Sequence, residues 1–463
     1  MKRVVALSFA ALLSSCSMAP KYVRAEAPVP ASWPAGDAYL AQSEASLPAV
    51  SYRDIFTDAR LQTLVEQALV NNRDIRVAAA NLAAARAQVR VVRSNQFPEV
   101  GVSANANRDS GSSGRSESTS FSVSGGISSF EIDLFGRLAS ATEAQRQSAL
   151  ATEAVARTVR LGLVADLAQA WADHAADAEL LRLALSTAAS AQQTVKLSRA
   201  RLEGGVANRT ALRQAEQVLA TAEADVATQT TALAQDRNLI ALLVGAPVDA
   251  ALLPVNLAEV AASIKVLGAG TSSDVLLRRP DVLSAEYRLR AANANIGAAR
   301  AALFPRISLT GLLGLASGSL GALFEGDAFH NTVGAAVSYP IFSAGGARAG
   351  VEVSQAQRDA ALGTYERAIQ TAFREVADAL ARQGTLGEEL RAVEARTAAA
   401  TDTAELTTAR YRGGIASSLE NLDAQRTLYS AQRSLVGERL LLVSNRVRLY
   451  RVLGGDQLAA TPR

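Results

Sequence analysis

Only one cysteine, Cys16, occurs in the 463 residues, so neither an intrachain disulfide framework nor a cysteine-rich metal centre can form. Histidine is confined to His174 and His330, which is too little for a His-based zinc site and leaves a Ser-His-Asp triad without supporting context. Methionine is limited to Met1 and Met18, and lysine to positions 2, 21, 196 and 265. Arginine therefore carries most of the 47 basic charges, which nearly balance 44 acidic ones without clustering, and no nucleic acid is expected as a partner. Aromatic residues are scarce at 5%, while the 49% hydrophobic share is rich in Ala, Leu and Val. That mix suits closely packed helices and excludes disorder as the main state. No Gly-Lys-Ser/Thr phosphate loop is present.

The N-terminus has the form of an export signal. Lys2 and Arg3 precede an apolar stretch from Val4 to Leu13, which is shorter than the roughly 20 residues of a membrane-spanning helix. Leu13-Ser14-Ser15-Cys16 resembles a bacterial lipobox, which implies cleavage before Cys16 and a covalent lipid on it, with no other cofactor expected. Ser17 follows where an acidic residue would signal inner-membrane retention, so outer-membrane sorting is expected. Pro20 to Pro48, with Pro28, Pro30 and Pro34, reads as an extended tether.

Internal similarity organises the rest. Phe97-Pro98 recurs as Phe304-Pro305, Asn72-Arg73-Asp74-Ile75 as Arg279-Pro280-Asp281-Val282, and Leu134-Phe135-Gly136 as Ile341-Phe342-Ser343, all at an offset of 207. The run Arg201 to Ala207 matches Arg410 to Ala416, and Leu243-Val244-Gly245 matches Val452-Leu453-Gly454, at an offset of 209. So long a period indicates a duplicated domain, not a solenoid of short units. The expected division is a signal peptide over 1–15, a lipid-anchored tether over 16–56, repeats over 57–260 and 261–455, and a tail over 456–463.

Each repeat opens with an Ala-rich helical segment, Leu61 to Asn95 or Ser273 to Ala302, that Phe-Pro should terminate. Two segments of period two follow, predicted as strands near 97–108 and 118–133 in the first repeat and 304–316 and 331–342 in the second. They are long enough to cross an outer membrane. The run Gly136 to Glu203 contains no proline, and as one helix it would extend about 100 Å. Val155, Val159, Leu163, Leu167 and Trp171 form an i, i+4 row on it, while Asp166, Asp173 and Asp177 fall largely elsewhere. Gly204-Gly205 and Gly413-Gly414 are predicted hairpin turns between a long helix and a returning one.

Four strands cannot close a barrel, and unpaired strand edges in hydrocarbon cost several kcal/mol per group. Closed outer-membrane barrels begin near eight strands, so two copies would give about eight and three about twelve; only the larger leaves an open lumen, and at least three copies, a homotrimer or more, are expected.

Leu277-Arg278-Arg279-Pro280-Asp281-Val282, Ala285-Glu286, Ala294-Asn295-Ile296-Gly297 and Phe304-Pro305 resemble the signature of TolC-like outer-membrane factors, in particular their NodT-type efflux lipoproteins. Ser129 to Arg137 is similar to a second family motif, and Ala409 to Gly414 together with Leu422-Asp423-Ala424-Gln425-Arg426 to a third. The resemblance implies an α+β membrane protein, in which a trimeric 12-stranded outer-membrane β-barrel continues into a periplasmic 12-helix α-barrel. It implies as partners a periplasmic adaptor (membrane fusion protein), an inner-membrane RND-type pump and outer-membrane lipid. It also implies a periplasmic gate on Tyr411, Arg412, Leu419 and Asp423, where three Leu419 side chains would form a dewetted constriction and three Asp423 carboxylates an acidic ring, with Arg412 as the nearest counter-charge. The first-repeat turn departs from the pattern. Thr210-Ala211-Leu212 stands where relatives often carry an acidic residue, and Glu216 lies one turn on.

The leading expectation is a passive, non-enzymatic conduit for small amphiphilic compounds. The alternatives within the class are metal export and type I protein secretion. Outside it, the paired period-two segments argue against a periplasmic coiled-coil scaffold, and the two isolated histidines argue against a lipid-anchored hydrolase.

Overall fold

A computed structural model describes residues 18–36, 38–39, 51–109, 118–270 and 272–455. The signal peptide, Cys16, residues 110–117, the tail 456–463 and most of the tether beyond residue 39 lie outside the described residues. In chain order the elements are α1 (Tyr52–Ile55), α2 (Ala59–Asn71), α3 (Arg73–Ser94), β1 (Gly101–Asp109), β2 (Ser118–Ile132), α4 (Arg137–Glu203), α5 (Arg209–Val244) and α6 (Leu257–Ser263). There follow α7 (Pro280–Ala301), β3 (Arg306–Ser317), β4 (Phe329–Ser338), α8 (Gly346–Arg412) and α9 (Ser418–Val452). The chain gathers into two compact units, each drawing on both halves of the sequence: one from Met1–Glu26, Ala80–Ala154 and Leu283–Arg367, the other from Ala27–Ala79, Val155–Val282 and Ala368–Arg463.

In the first unit the strands form one antiparallel sheet in the order β1-β2-β3-β4. Register aligns Val102 with Gly125 and Ala104 with Val123, then Gly125 with Leu313 and Val123 with Leu315, so apolar and small residues share one face. Ser103 and Ser124 pair on the other face, where their hydroxyls lie 3.1 Å apart. Val102, Leu313, Val333 and Val337 are exposed in the single chain, as expected of strands whose outer face meets lipid. A register shift between Ile127 and Phe130 takes up Ser128 and Ser129, which keeps both Ile127 and Phe130 on the apolar face. Within the chain β1 and β4 each have a single neighbour, which leaves two open edges. The fourth strand ends at Ser338, short of the predicted 342, because Pro340 has no backbone donor to continue the ladder.

The second unit has its core around Trp171, Tyr450, Phe56, Leu61, Leu64 and Leu167, all fully buried. Phe56 meets Tyr450 edge to face at 5.0 Å, and the Trp171 indole N–H donates to the Leu252 carbonyl at 3.0 Å. Both long helices, α4 and α8, run for 67 residues, about 100 Å each. Among the described residues no helix is long and apolar enough to cross a membrane.

Each Ala-rich segment is broken where the sequence predicts continuous helix. Asn72 and Arg279, 207 residues apart, both leave the helical region, with ψ of 137° and 135°. Arg279 precedes Pro280, which pushes it out of the α region. Asn72 instead uses its side-chain oxygen to accept from the N–H groups of Asp74 and Ile75, capping α3. The two residues also have the same second task. Asn72 Nδ2 donates to the Leu243 carbonyl at 2.8 Å and Arg279 Nη1 to the Val452 carbonyl at 2.8 Å, so each satisfies an orphan carbonyl at the end of a returning helix. Arg279 is buried and balanced by Asp281 at 2.7 Å and Glu375 at 2.8 Å.

Replacing Arg279 by Ala is expected to destabilise this unit by about 3 kcal/mol, because two carboxylates and a carbonyl lose their partner. Asn72→Ala should cost about 1 kcal/mol. Urea unfolding of the detergent-solubilised protein, followed by Trp fluorescence, checks the order of the two midpoints.

Candidate functional site at the helical hairpin turns

The long helices α4 and α8 both end at a Gly-Gly pair with matching bonds. Gly204 N–H donates to the Ala200 carbonyl and Val206 N–H to the Arg201 carbonyl, both at 2.9 Å; Gly413 donates to Ala409 at 3.0 Å and Ile415 to Arg410 at 2.8 Å. Gly205 and Gly414 adopt φ of 75° and 77°, which requires glycine, whereas Gly204 and Gly413 have ordinary φ and room for a Cβ. The returning helices then start on different caps. The Asn208 side chain accepts from Ala211 N–H, while Ser417 and Glu420 form a reciprocal capping box.

The predicted gate residues occupy distinct environments. Tyr411 is only 5% exposed and lies under Arg201, whose guanidinium sits 4.4 Å from the ring centre and donates to the Tyr411 carbonyl at 3.1 Å. It ties the α8 turn to α4. Leu419 is 56% exposed, and Asp423, one helical turn further along α9, is exposed too. Arg412 is exposed and lines a cleft of about 1080 Å³ between α4, α5, α8 and α9. Among the described residues no ion pair joins Arg412 to Asp423. Glu216 is held by Arg199 at 3.5 Å and by Arg213, so its carboxylate is already balanced within the chain.

Further contacts close the turn region. Val195, Leu212, Ala215 and Leu422 form a small buried cluster. The Thr408 hydroxyl donates to buried Asn421 at 2.9 Å. Higher up, Asp225 on α5 accepts from the Tyr429 hydroxyl at 2.8 Å and from Arg433 at 3.2 Å, both on α9. Burial and the Asp225 carboxylate push the Tyr429 phenol up to about 12, so it remains a donor across the physiological range.

The family model described as outer membrane efflux protein matches residues 64–246 and again 271–455. The chain belongs to this family. Among curated relatives of this efflux protein, the toluene efflux pump outer membrane protein TtgC of Pseudomonas putida is 41% identical over 453 residues, 96% of this chain and 93% of the relative. The outer membrane protein OprJ of Pseudomonas aeruginosa is 37% identical over 460 residues, covering 98% and 95%. Among solved structures, the open state of the Neisseria gonorrhoeae MtrE outer membrane channel aligns with a TM-score of 0.86 at 33% identity, over 97% of this chain and 100% of that one. CusC, described in terms of transmembrane channel formation, aligns with 0.84 at 35% identity, over 95% and 100%. The efflux protein thus has the α+β outer-membrane channel architecture, with four barrel strands per chain.

Sequence reasoning missed three features of this efflux protein's helical region. Arg201 was visible only as a repeated residue, and nothing signalled its reach to Tyr411. Asp225, Tyr429 and Arg433 carried no motif. The sequence pattern sets Asp173 and Asp177 largely off the apolar stripe, yet both are partly buried with Asp236 of α5. Burial raises the carboxyls of Asp173 and Asp177 above their ordinary value. Asp236 is pushed up to about 7, first by burial and then by the charges of Asp177 and Asp173. His174 beside them is buried, and burial lowers its imidazole; its Nδ1 lies 3.0 Å from the Pro254 carbonyl.

Asp236 makes stability pH-dependent with a definite sign. The unfolded chain releases its proton near pH 3.8 but the folded chain keeps it to about pH 7, so stability falls as pH rises through that window and stays low above it. Asp236→Asn, whose amide can donate to Asp177, is expected to make this fall shallower and to raise the thermal midpoint by a few degrees at pH 8. Thermal unfolding from pH 4 to 8 checks it, and equal slopes in variant and wild type would contradict the assignment.

Proposed function

We propose that three copies of this chain form the outer-membrane channel of a tripartite efflux system, conducting small amphiphilic compounds passively, with no catalytic step of its own, from an inner-membrane RND-type pump and a periplasmic adaptor to the exterior. The observation that carries the reading is the double family match over both halves of a chain whose four-stranded sheet has two open edges. Three copies pair those edges into twelve strands, enough for an open lumen. The cargo class draws support from relatives named for toluene and antibiotic efflux.

In this reading a lipid on Cys16 anchors each copy to the outer membrane, and the turn region forms the gate. Leu419 and Asp423, exposed one turn apart on α9, supply a dewetted constriction and an acidic ring about the threefold axis. Arg412 supplies the counter-charge from neighbouring chains, and Tyr411 holds the second hairpin through Arg201.

The test is a deletion strain challenged with antibiotics, dyes, solvents, detergents and metal salts, with and without the cloned gene. Complemented hypersensitivity to drugs and solvents is expected, whereas sensitivity to metal salts alone would overturn the cargo assignment. For the gate, Leu419→Ala combined with Asp423→Ala should raise single-channel conductance in planar bilayers several-fold, and an unchanged conductance would sink the proposed constriction.

A further inference from the structure

Two parts of the family-like signature, Ala285-Glu286 and Ala294 to Gly297, lie on α7 and take no part in conduction as proposed. Glu286 of the first and Gly297 of the second face the N-terminal segment. Residues 18–24 run beside α7 in the opposite direction. Arg300 reaches the Met18 carbonyl at 3.4 Å, Asn293 Nδ2 donates to the Pro20 carbonyl at 2.7 Å, and Glu286 accepts from the Tyr22 hydroxyl at 3.2 Å and from Arg24 at 2.7 Å. The spacings agree: six extended residues cover roughly 20 Å, and the helix from Glu286 to Arg300 rises roughly 21 Å.

Two residues of α7 are shaped to this neighbour. A Cβ on Gly297 would stand 2.7 Å from the Ala19 backbone nitrogen and 2.7 Å from Ser140 Oγ, so a side chain there collides with a backbone that cannot yield cheaply. Glu286 is 2% exposed, a costly place for a carboxylate unless it is fully paired. Arg24 pairs with it from the segment, and Arg290, at 2.7 Å, from its own helix. Arg290 also lies over the Tyr22 ring at 4.9 Å. Burial opposes the charge on Glu286, yet the two guanidinium hydrogen bonds outweigh it and hold the carboxyl below its ordinary value.

We propose that α7 is a built cradle for residues 18–24, which locks this segment to the folded channel and so ties a lipid on Cys16, two residues upstream in sequence, to the fold through a short connection. The lock stands on the contacts above; only its service to a lipid rests on the anchored-channel reading.

Trypsin tests the lock, because Lys21 and Arg24 are both cleavage sites within the docked segment. Full-length protein in detergent micelles is digested under native conditions, and the released N-terminal peptide is followed by mass spectrometry. Wild type should resist cleavage at both bonds, while Glu286→Gln and Gly297→Val should each raise the initial rate roughly tenfold or more, since cleavage follows the open population. Asn293→Ala, which removes one hydrogen bond and no charge, should give a smaller rise while leaving the trimer intact on unheated gels. Wild type cut as fast as the variants would overturn the cradle. The mass of the N-terminal peptide separates the two claims: a protected segment without lipid on Cys16 sinks the anchor and leaves the cradle standing.

Discussion

The constraint on which the rest depends is the backbone hydrogen bonding of the sheet. Four strands leave the outer edges of β1 and β4 without partners inside the chain, and in hydrocarbon each unpaired group costs several kcal/mol. No side-chain device can absorb that, because water is absent from the bilayer core. The chain therefore cannot be a finished membrane protein alone, and the exposed Val102, Val333 and Val337 make sense only as part of a closed wall facing lipid. Assembly is thus required by the same interactions that make the strands.

Duplication solves a geometric problem twice with different side chains. Each long helical hairpin must return to a point near the start of its own half, where its last carbonyls need donors. Asn72 does this with a neutral amide and Arg279 with a buried guanidinium that then needs Asp281 and Glu375. The second solution is stronger and also more demanding, since a buried charge is tolerated only while every partner stays in place. At the turns the same duplication yields matched glycine caps but unequal chemistry. Arg201 in the first repeat clasps Tyr411 in the second, whereas Glu216 is spent on Arg199 and Arg213. The two halves are alike in path and different in charge.

Local and periodic features were legible in the sequence. The long helix from Gly136 to Glu203 is the observed α4 within a residue, because proline is absent and the Gly-Gly stop is a local conformational fact. The strands were legible because alternation has no other physical meaning at that length, although β4 stops earlier, at Ser338, where Pro340 intervenes. The break at Arg279 had a visible cause in Pro280, whereas that at Asn72 did not, since an asparagine within an Ala-rich run has no fixed role until its carbonyl partner is known. Nor was the Asp173, Asp177 and Asp236 group foreseen. Its members come from α4 and α5, and only their approach makes carboxylates partly buried and mutually repulsive. Leu419 and Asp423 came from family likeness, and the fold adds that both face outward from a single chain.

The energetics of the turn region differ from those of the core in a way that bears on the proposed gating. Trp171, Tyr450 and Phe56 are fully buried, and truncating one such side chain would cost about 3–5 kcal/mol. The link between the hairpins at Tyr411 is one hydrogen bond and one cation–π contact, together about 1–3 kcal/mol. The Asp225 link to Tyr429 and Arg433 is partly exposed and of similar order. In the proposed gating, a bound partner's differential affinity would have to separate only these links and the small Val195, Leu212, Ala215 and Leu422 cluster that also joins the hairpins, while the core stays folded. A channel gated at its hairpin turns, as proposed, would need this unequal distribution of contact strength along the same pair of helices.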